Sequence, residues 1–271
     1  MQGGSRESLA TLRDDLDAVI RSGDLDLAAL AEELFDVVAL LDREQSLRRV
    51  LTDPSRSADA RAELARELFA GQVSDAAADL LAAAVRARWS RSRDLSDAVE
   101  LLAVEALIAS AEQAGRLDTV EDELFRTGRI IAGSPRLRAA LSDPSAPAEH
   151  RLELVDNLLR DKVADETIRL VRQAVAAPRG RSIDDALDEF ADVAAERRSR
   201  VVATITAAVP LTQAQRDRLG ALLAQAYGHQ VQINVQLDAD LIGGLRVEIG
   251  DEVIEGSVLS RLADARRRLA G

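Results

Sequence analysis

The chain repeats itself. Leu51-Thr52-Asp53-Pro54-Ser55 returns as Leu141-Ser142-Asp143-Pro144-Ser145, an offset of 90 residues. The register holds on both sides, pairing Leu34-Phe35 with Leu124-Phe125, Leu47-Arg48 with Leu137-Arg138, Arg61 with Arg151 and Leu80 with Leu170. After a two-residue shortening it resumes, with Arg91-Ser92-Arg93 matching Arg179-Gly180-Arg181 and Asp97-Ala98-Val99 matching Asp185-Ala186-Leu187. Solenoid repeats of one or two helices recur every ~20–50 residues, so a period this long means a duplicated domain.

Each copy carries a short helix, an Asp-Pro-Ser turn that a helix cannot pass through, and three longer helices. In the first copy these are expected near 57–70, 74–88 and 94–114; in the second, near 147–160, 164–176 and 182–198. The stripes are amphipathic or broadly apolar, as in a compact helical bundle. The first copy opens with a helix carrying Leu9, Leu12, Leu16 and Ile20 on one face, and a second helix follows over 25–41. The second copy has no separate counterpart of that opening helix. In 94–114, Leu95, Val99, Leu102 and Ala106 fall on one side, and Leu101, Val104, Ile108 and Ala111 on the other. A helix apolar on two faces is buried on two faces. It is expected to serve both bundles.

The last third reads differently. Val231, Ile233, Val235 and Leu237 alternate with polar residues, as do Leu245, Val247 and Ile249, the period of half-buried strands. Gly250-Asp251 offers a tight turn into a short return strand over 252–255, and Ser257 an N-cap for a last helix with Val258, Leu262, Ala265 and Leu269 on one face. Before the strands, Pro210-Leu211-Thr212 opens a helix in which Thr212 and Gln215 make a capping box. The predicted fold class is therefore mainly α with a small α/β C-terminal module: two tandem helical bundles sharing a helix, then a strand-helix-hairpin-helix domain. The expected domains are 1–114, 94–199 (sharing 94–114) and 200–271, with the hinge near Glu196-Arg197-Arg198-Ser199-Arg200.

Composition narrows the function. Of 271 residues 47% are hydrophobic but only 2% aromatic, so the core must be built of Leu, Ala, Val and Ile. A formal net charge of -12 argues against nucleic-acid binding as a main role. Cysteine is absent, which removes thiolate chemistry and disulfides and fits a reducing compartment. No signal peptide and no membrane-spanning run is expected, so any membrane association must go through another subunit.

Catalytic patterns are missing. There is no phosphate loop, and Gly243-Gly244 lacks the loop-to-helix setting that would make one. The two histidines, His150 and His229, have no metal-spaced partners. The acidic pairs Asp24/Asp26, Glu32/Glu33, Asp184/Asp185 and Asp188/Glu189 sit at helix starts or on polar faces, where the helix dipole alone accounts for them. Trp89 reads as a core or bundle-edge residue. Catalytic residues, cofactor and metal are not expected. From the residues alone the chain is an adaptor, and a metal-independent hydrolase or lyase using carboxylates is the enzymatic rival.

The C-terminal motifs carry a resemblance. Gln232-Ile233-Asn234-Val235, Leu241-Ile242-Gly243-Gly244-Leu245-Arg246-Val247 and Gly250-Asp251-Glu252-Val253-Ile254-Glu255-Gly256-Ser257 are ordered and spaced as in the delta subunit of F-type ATP synthases (the OSCP family), and Ala207-Ala208-Val209-Pro210-Leu211-Thr212 matches the segment before them. The chain resembles a long, actinobacterial-type form of that family, with two helical bundles where the ordinary form has one. The resemblance implies a non-catalytic peripheral-stalk (stator) subunit that takes part in ATP synthesis and hydrogen ion transport at the cytoplasmic face of the cell membrane. It implies two partners: the N-terminal helix of the ATP synthase alpha subunit and the C-terminal region of the ATP synthase b subunit. The alpha-subunit helix would lie between the first and fifth helices of a bundle, in the first copy Leu9, Leu12, Leu16 and Ile20 with Leu81 and Val85, and the resemblance leaves open which of the two copies holds it. The b subunit would meet the last helix around Val258, Leu262 and Leu269. The alternative is a helical adaptor unrelated to ATP synthase.

Overall fold

A computed structural model describes residues 3–23, 25–227, 231–238, 241, 244–249 and 252–255. The chain divides into two units, Met1–Ala194 and Ala195–Gly271. The first unit is helical. Its elements are α1 (Gly3–Ser22), α2 (Leu27–Arg43), α3 (Gln45–Leu51), α4 (Ala58–Phe69), α5 (Asp75–Arg86), α6 (Ser92–Gln113), α7 (Leu117–Gly133), α8 (Pro135–Ser142), α9 (Ala148–Leu159), α10 (Asp165–Ala176) and most of α11 (Ile183–Val201).

The repeat is visible in the helix bounds. α2, α4 and α5 recur as α7, α9 and α10 at the same offset of 90. The Asp-Pro-Ser turns recur atom for atom, Ser55 N–H donating to Asp53 Oδ1 and Ser145 N–H to Asp143 Oδ1, each at 2.9 Å. The Ser–Asp hydrogen bonds hold both carboxyls below the usual range. Between the copies stands α6, in which 15 of 22 residues are buried. It packs against α1, α2, α3 and α5 and also against α7 and α10. A helix wetted on one face could not bury so many positions, so its two apolar stripes are both covered.

The copies also share a cap supplied from a distance. The Oε2 of Glu33 accepts from the Ser74 N–H at 3.1 Å and the Ser74 hydroxyl at 2.6 Å, at the start of α5. Ninety residues on, Glu123 Oε2 accepts from Ala164 N–H at 2.9 Å and Thr167 Oγ1 at 2.6 Å, at the start of α10. Ala164 has no side chain with which to cap α10, whereas Ser74 caps α5 through Ala77 N–H. The distant carboxylate therefore carries more of the burden in the second copy. Glu123→Ala is expected to cost about 1–2 kcal/mol in urea unfolding, and Glu33→Ala about half that. Equal losses would contradict the difference in capping.

The second unit holds β1 (Val202–Ala207), α12 (Gln213–Tyr227), β2 (Gln232–Leu237), β3 (Leu245–Ile249) and β4 (Glu252–Glu255). The sheet order is β2-β1-β3-β4. β1 runs parallel to β2 through the α12 crossover, while β1–β3 and β3–β4 are antiparallel. Register pairs Ile205 with Val247 and Ala203 with Ile249, all buried, beneath Leu223 of α12 and Val231. Thr212 and Gln215 form the expected box at the start of α12. Leu237 departs from the expected alternation: it ends an edge strand and is 61% exposed. The Gly250-Asp251 turn and the helix expected after Ser257 lie outside the described residues.

Candidate partner-binding surfaces

The proposed groove begins with α1, which hydrogen bonds and ion pairs fix to the α5–α6 region. Ser5 Oγ donates to Asp94 Oδ2 at 2.7 Å and accepts from Ser90 N–H at 2.9 Å. Ser8 Oγ donates to Arg88 O at 2.9 Å, and Arg13 pairs with Glu105 at 2.5 Å. Leu9, Leu12 and Leu16 are thereby buried, and so are Leu81 and Val85 on α5; Ile20, near the end of α1, is half-buried. In the free chain these residues belong to the bundle interior. Outward from them, α1 shows Thr11, Asp14, Asp15 and Ala18 to solvent, and α5 shows Asp75, while Asp79 pairs with Arg66 of α4 at 2.8 Å. Val258, Leu262 and Leu269 lie outside the described residues, as does His229.

Trp89 sits half-buried just past α5, its indole N–H donating to Ala84 O at 2.8 Å. That position is a bundle edge, as the sequence suggested. His150 is exposed. Asp26 caps α2 by accepting from Ala28 and Ala29 N–H. Asp185 accepts from the Ser182 N–H at 3.4 Å, and hydrogen bonds with Ser182 lower its carboxyl. These carboxylates hold helix starts. Gly244 has φ +87, a turn conformation that glycine tolerates and other residues resist. Among the described residues no group of three or more His, Cys, Asp or Glu is placed to hold a metal ion, and no helix is long and apolar enough to cross a membrane.

The largest polar constellation was not foreseen from the sequence. The loop between α10 and α11 places Arg179 and Gly180 at positive φ, which turns the Arg179 side chain inward to 6% exposure. Its guanidinium meets Asp42 of α2 at 2.7 Å, Asp97 of α6 at 3.0 Å and Glu100 of α6 at 3.5 Å. Arg181 reaches the same Glu100 at 2.7 Å, pairs with Glu189, and lies 5.9 Å from the Phe190 ring centroid. Gln173 of α10 donates to the other Glu100 oxygen at 2.9 Å. Burial pushes the Asp97 carboxyl up despite the opposing pull of Arg179. A cleft of about 540 Å³ opens beside these groups, with Arg6, Arg91 and Arg93 on its rim. Its buried arginines are met by carboxylates on several sides, so it reads as a clamp between the copies, with little positive charge left for an anion. The only local hint was that Arg91 and Arg93 recur as Arg179 and Arg181.

Comparison with known proteins agrees with this architecture. Residues 104–269 match the family described as ATP synthase delta (OSCP) subunit. The matched stretch starts inside α6 and runs through the second copy and the C-terminal unit. Over the full length, the chain is 53% identical to the ATP synthase subunit delta of Streptomyces avermitilis, covering 99% of this chain and 98% of that one. It is 53% identical to the subunit of the same name from Streptomyces coelicolor, covering 100% and 98%, and 48% identical to that of Thermobifida fusca, covering 100% of each. The first copy is thus part of the relatives' length as well. The chain belongs to the ATP synthase delta (OSCP) subunit family.

Proposed function

We propose that this chain is a stator subunit of an F-type ATP synthase, a non-catalytic connector between the catalytic head and the membrane-anchored stalk. The observation that carries the reading is full-length identity of about half the residues with proteins named ATP synthase subunit delta. In this reading 1–114 and 94–199 are two bundles sharing the helix 94–114, and 200–271 is the stalk-binding module. The N-terminal helix of an alpha subunit lies against α1 and α5 of the first bundle, the helices whose inner stripe is Leu9, Leu12, Leu16, Ile20, Leu81 and Val85. The C-terminal region of the b subunit meets the last segment at Val258, Leu262 and Leu269. Anchorage through b places the chain at the cytoplasmic face of the membrane. The mechanical task is to resist rotor torque, and several modest contacts joined in one chain give the grip through effective concentration.

Trp89 is the only tryptophan and lies at the end of α5. A peptide copying the N-terminus of the same organism's alpha subunit should shift its emission saturably when titrated into the intact protein. Acidic rims make this binding weaken with added salt. Absence of any saturable signal, in emission and in calorimetry alike, would remove the alpha-subunit contact from this reading.

A further inference from the structure

We propose that the first copy carries a basic, tryptophan-walled cleft, not repeated in the second, that takes an acidic segment of another polypeptide. That the partner is a polypeptide rests on the stator reading. The cleft itself does not.

An insertion builds it. Ala87 ends α5 and Ala177 ends α10, each donating its N–H to the carbonyl four residues back, and they stand 90 residues apart. Arg91 and Arg179, where the repeat resumes, stand only 88 apart. The first copy thus has Arg88-Trp89-Ser90 where the second has Pro178 alone. Trp89 comes with the extra length, and its indole N–H is anchored on Ala84 O. The end of α3 supplies Arg49 and Val50, whose counterparts at the offset of 90 are Ala139 and Ala140. With Pro54 and Arg91 these residues line a cleft of about 470 Å³. Ligand pockets run to ~300–1,000 Å³, so there is room for side chains to enter.

The chain carries a formal net charge of -12, yet this corner has cations to spare. Arg49 and Arg91 are exposed, and among the described residues neither pairs with a carboxylate. Asp53 also lines the cleft, but its carboxyl is held by Ser55 hydrogen bonds and by the charges of Arg56 and Arg61. The larger cleft is different, because there Arg179 and Arg181 meet Asp42, Asp97, Glu100 and Glu189. Arg179 is the counterpart of Arg91, and Asp42, which covers it from α2, belongs to the other copy. The repeat itself therefore shows what this arginine position receives from a neighbouring surface: carboxylates. Arg91 has a different backbone. Arg179 precedes Gly180 and turns inward at φ 52, whereas Arg91 precedes Ser92, is extended at φ -136, and stays exposed.

The lining selects a kind of partner. Planar guanidiniums bind carboxylates in pairs of hydrogen bonds, and a basic segment would meet like charge. Val50, 37% exposed, and half-buried Trp89 give an apolar side chain a place to lie. An inorganic anion uses the first feature and leaves the second wet. A short run of carboxylates flanking an apolar side chain uses both.

The test titrates a blocked peptide, Glu-Glu-Leu-Glu-Glu-Leu-Glu-Glu, into the intact protein, read by Trp89 emission and by calorimetry. One saturable site is expected, weakening with added salt. Arg49→Glu and Arg91→Glu should each weaken it by about tenfold or more. Serine in place of the two leucines should weaken it by about threefold or more. Arg136→Glu, at an exposed arginine of the second copy, should change it by less than about twofold. No site on the unaltered protein, equal binding of the peptide with lysine for glutamate, or equal loss in Arg136→Glu would overturn the proposal. So would equal binding of the serine peptide, or of inorganic phosphate or ATP, which would make the cleft a site for charge alone. If the alpha-subunit peptide binds and the acidic one does not, the cleft proposal fails while the stator contact stands. The reverse result keeps the cleft and removes that contact.

Discussion

Ile108→Asp is expected to unfold the second copy while the first retains much of its protection. Ile108 is 0% exposed in α6, on the face with Leu101, Val104 and Ala111. A carboxylate there is cut off from water, and an uncompensated buried charge costs on the order of 4 kcal/mol or more. A marginally stable bundle cannot absorb that. The opposite stripe, Leu95, Val99, Leu102 and Ala106, stays intact and still faces the first copy. Hydrogen exchange should accordingly show α7, α9 and α10 opening while α2, α4 and α5 lose less. Leu102→Asp should reverse the pattern. Loss of both copies equally in either variant would mean that α6 belongs to one cooperative core, and the division into two bundles sharing it would fall.

That two-faced helix was legible in the sequence because the 3.6-residue period writes both stripes into a single stretch of chain. The Asp-Pro-Ser turns were legible for a similar reason: proline and the Asp–Ser hydrogen bond act within three residues. The sheet's inner face could be read from alternation at Val247 and Ile249, and the family from the spacing of its C-terminal motifs. What failed to show was whatever depends on distant partners. Phe35 and Phe125 occupy the same place in the repeat with the same preceding leucine, and nothing local says that one is covered and the other open. Arg179 meets Asp42 across 137 residues, through a loop whose left-handed residue before glycine no periodicity announces. The proposed groove residues form an apolar stripe, and that stripe is the bundle's own interior. The rim that a partner would first meet is polar, and a hydrophobic pattern does not mark it.

Arg61→Met is the second large expected loss, and it separates a structural arginine from a merely charged one. Arg61 is 6% exposed, and its guanidinium is spent on carbonyls. Nε donates to Val85 O at 3.1 Å and Nη2 to Arg86 O at 3.1 Å, the unpaired carbonyls at the end of α5. Nη1 donates to Arg56 O at 2.9 Å and Asp53 O at 3.2 Å, on the Asp-Pro-Ser turn. One planar fork thus ties the turn before α4 to the C-terminus of α5, where a cation also suits the helix dipole. Methionine keeps much of the stem and removes every donor. One buried and several partly buried carbonyls then lose their partner together, at about 2–4 kcal/mol in urea unfolding. Lysine should recover little, since a compact ammonium cannot span both segments. The repeat supplies the control: Arg151 is half-buried and donates to Val175 O at 3.2 Å, so Arg151→Met should cost about 1 kcal/mol. A loss at Arg61 no larger than that at Arg151 would mean that solvent reaches the α5 terminus and replaces the fork, and that the turn in the first copy holds without it.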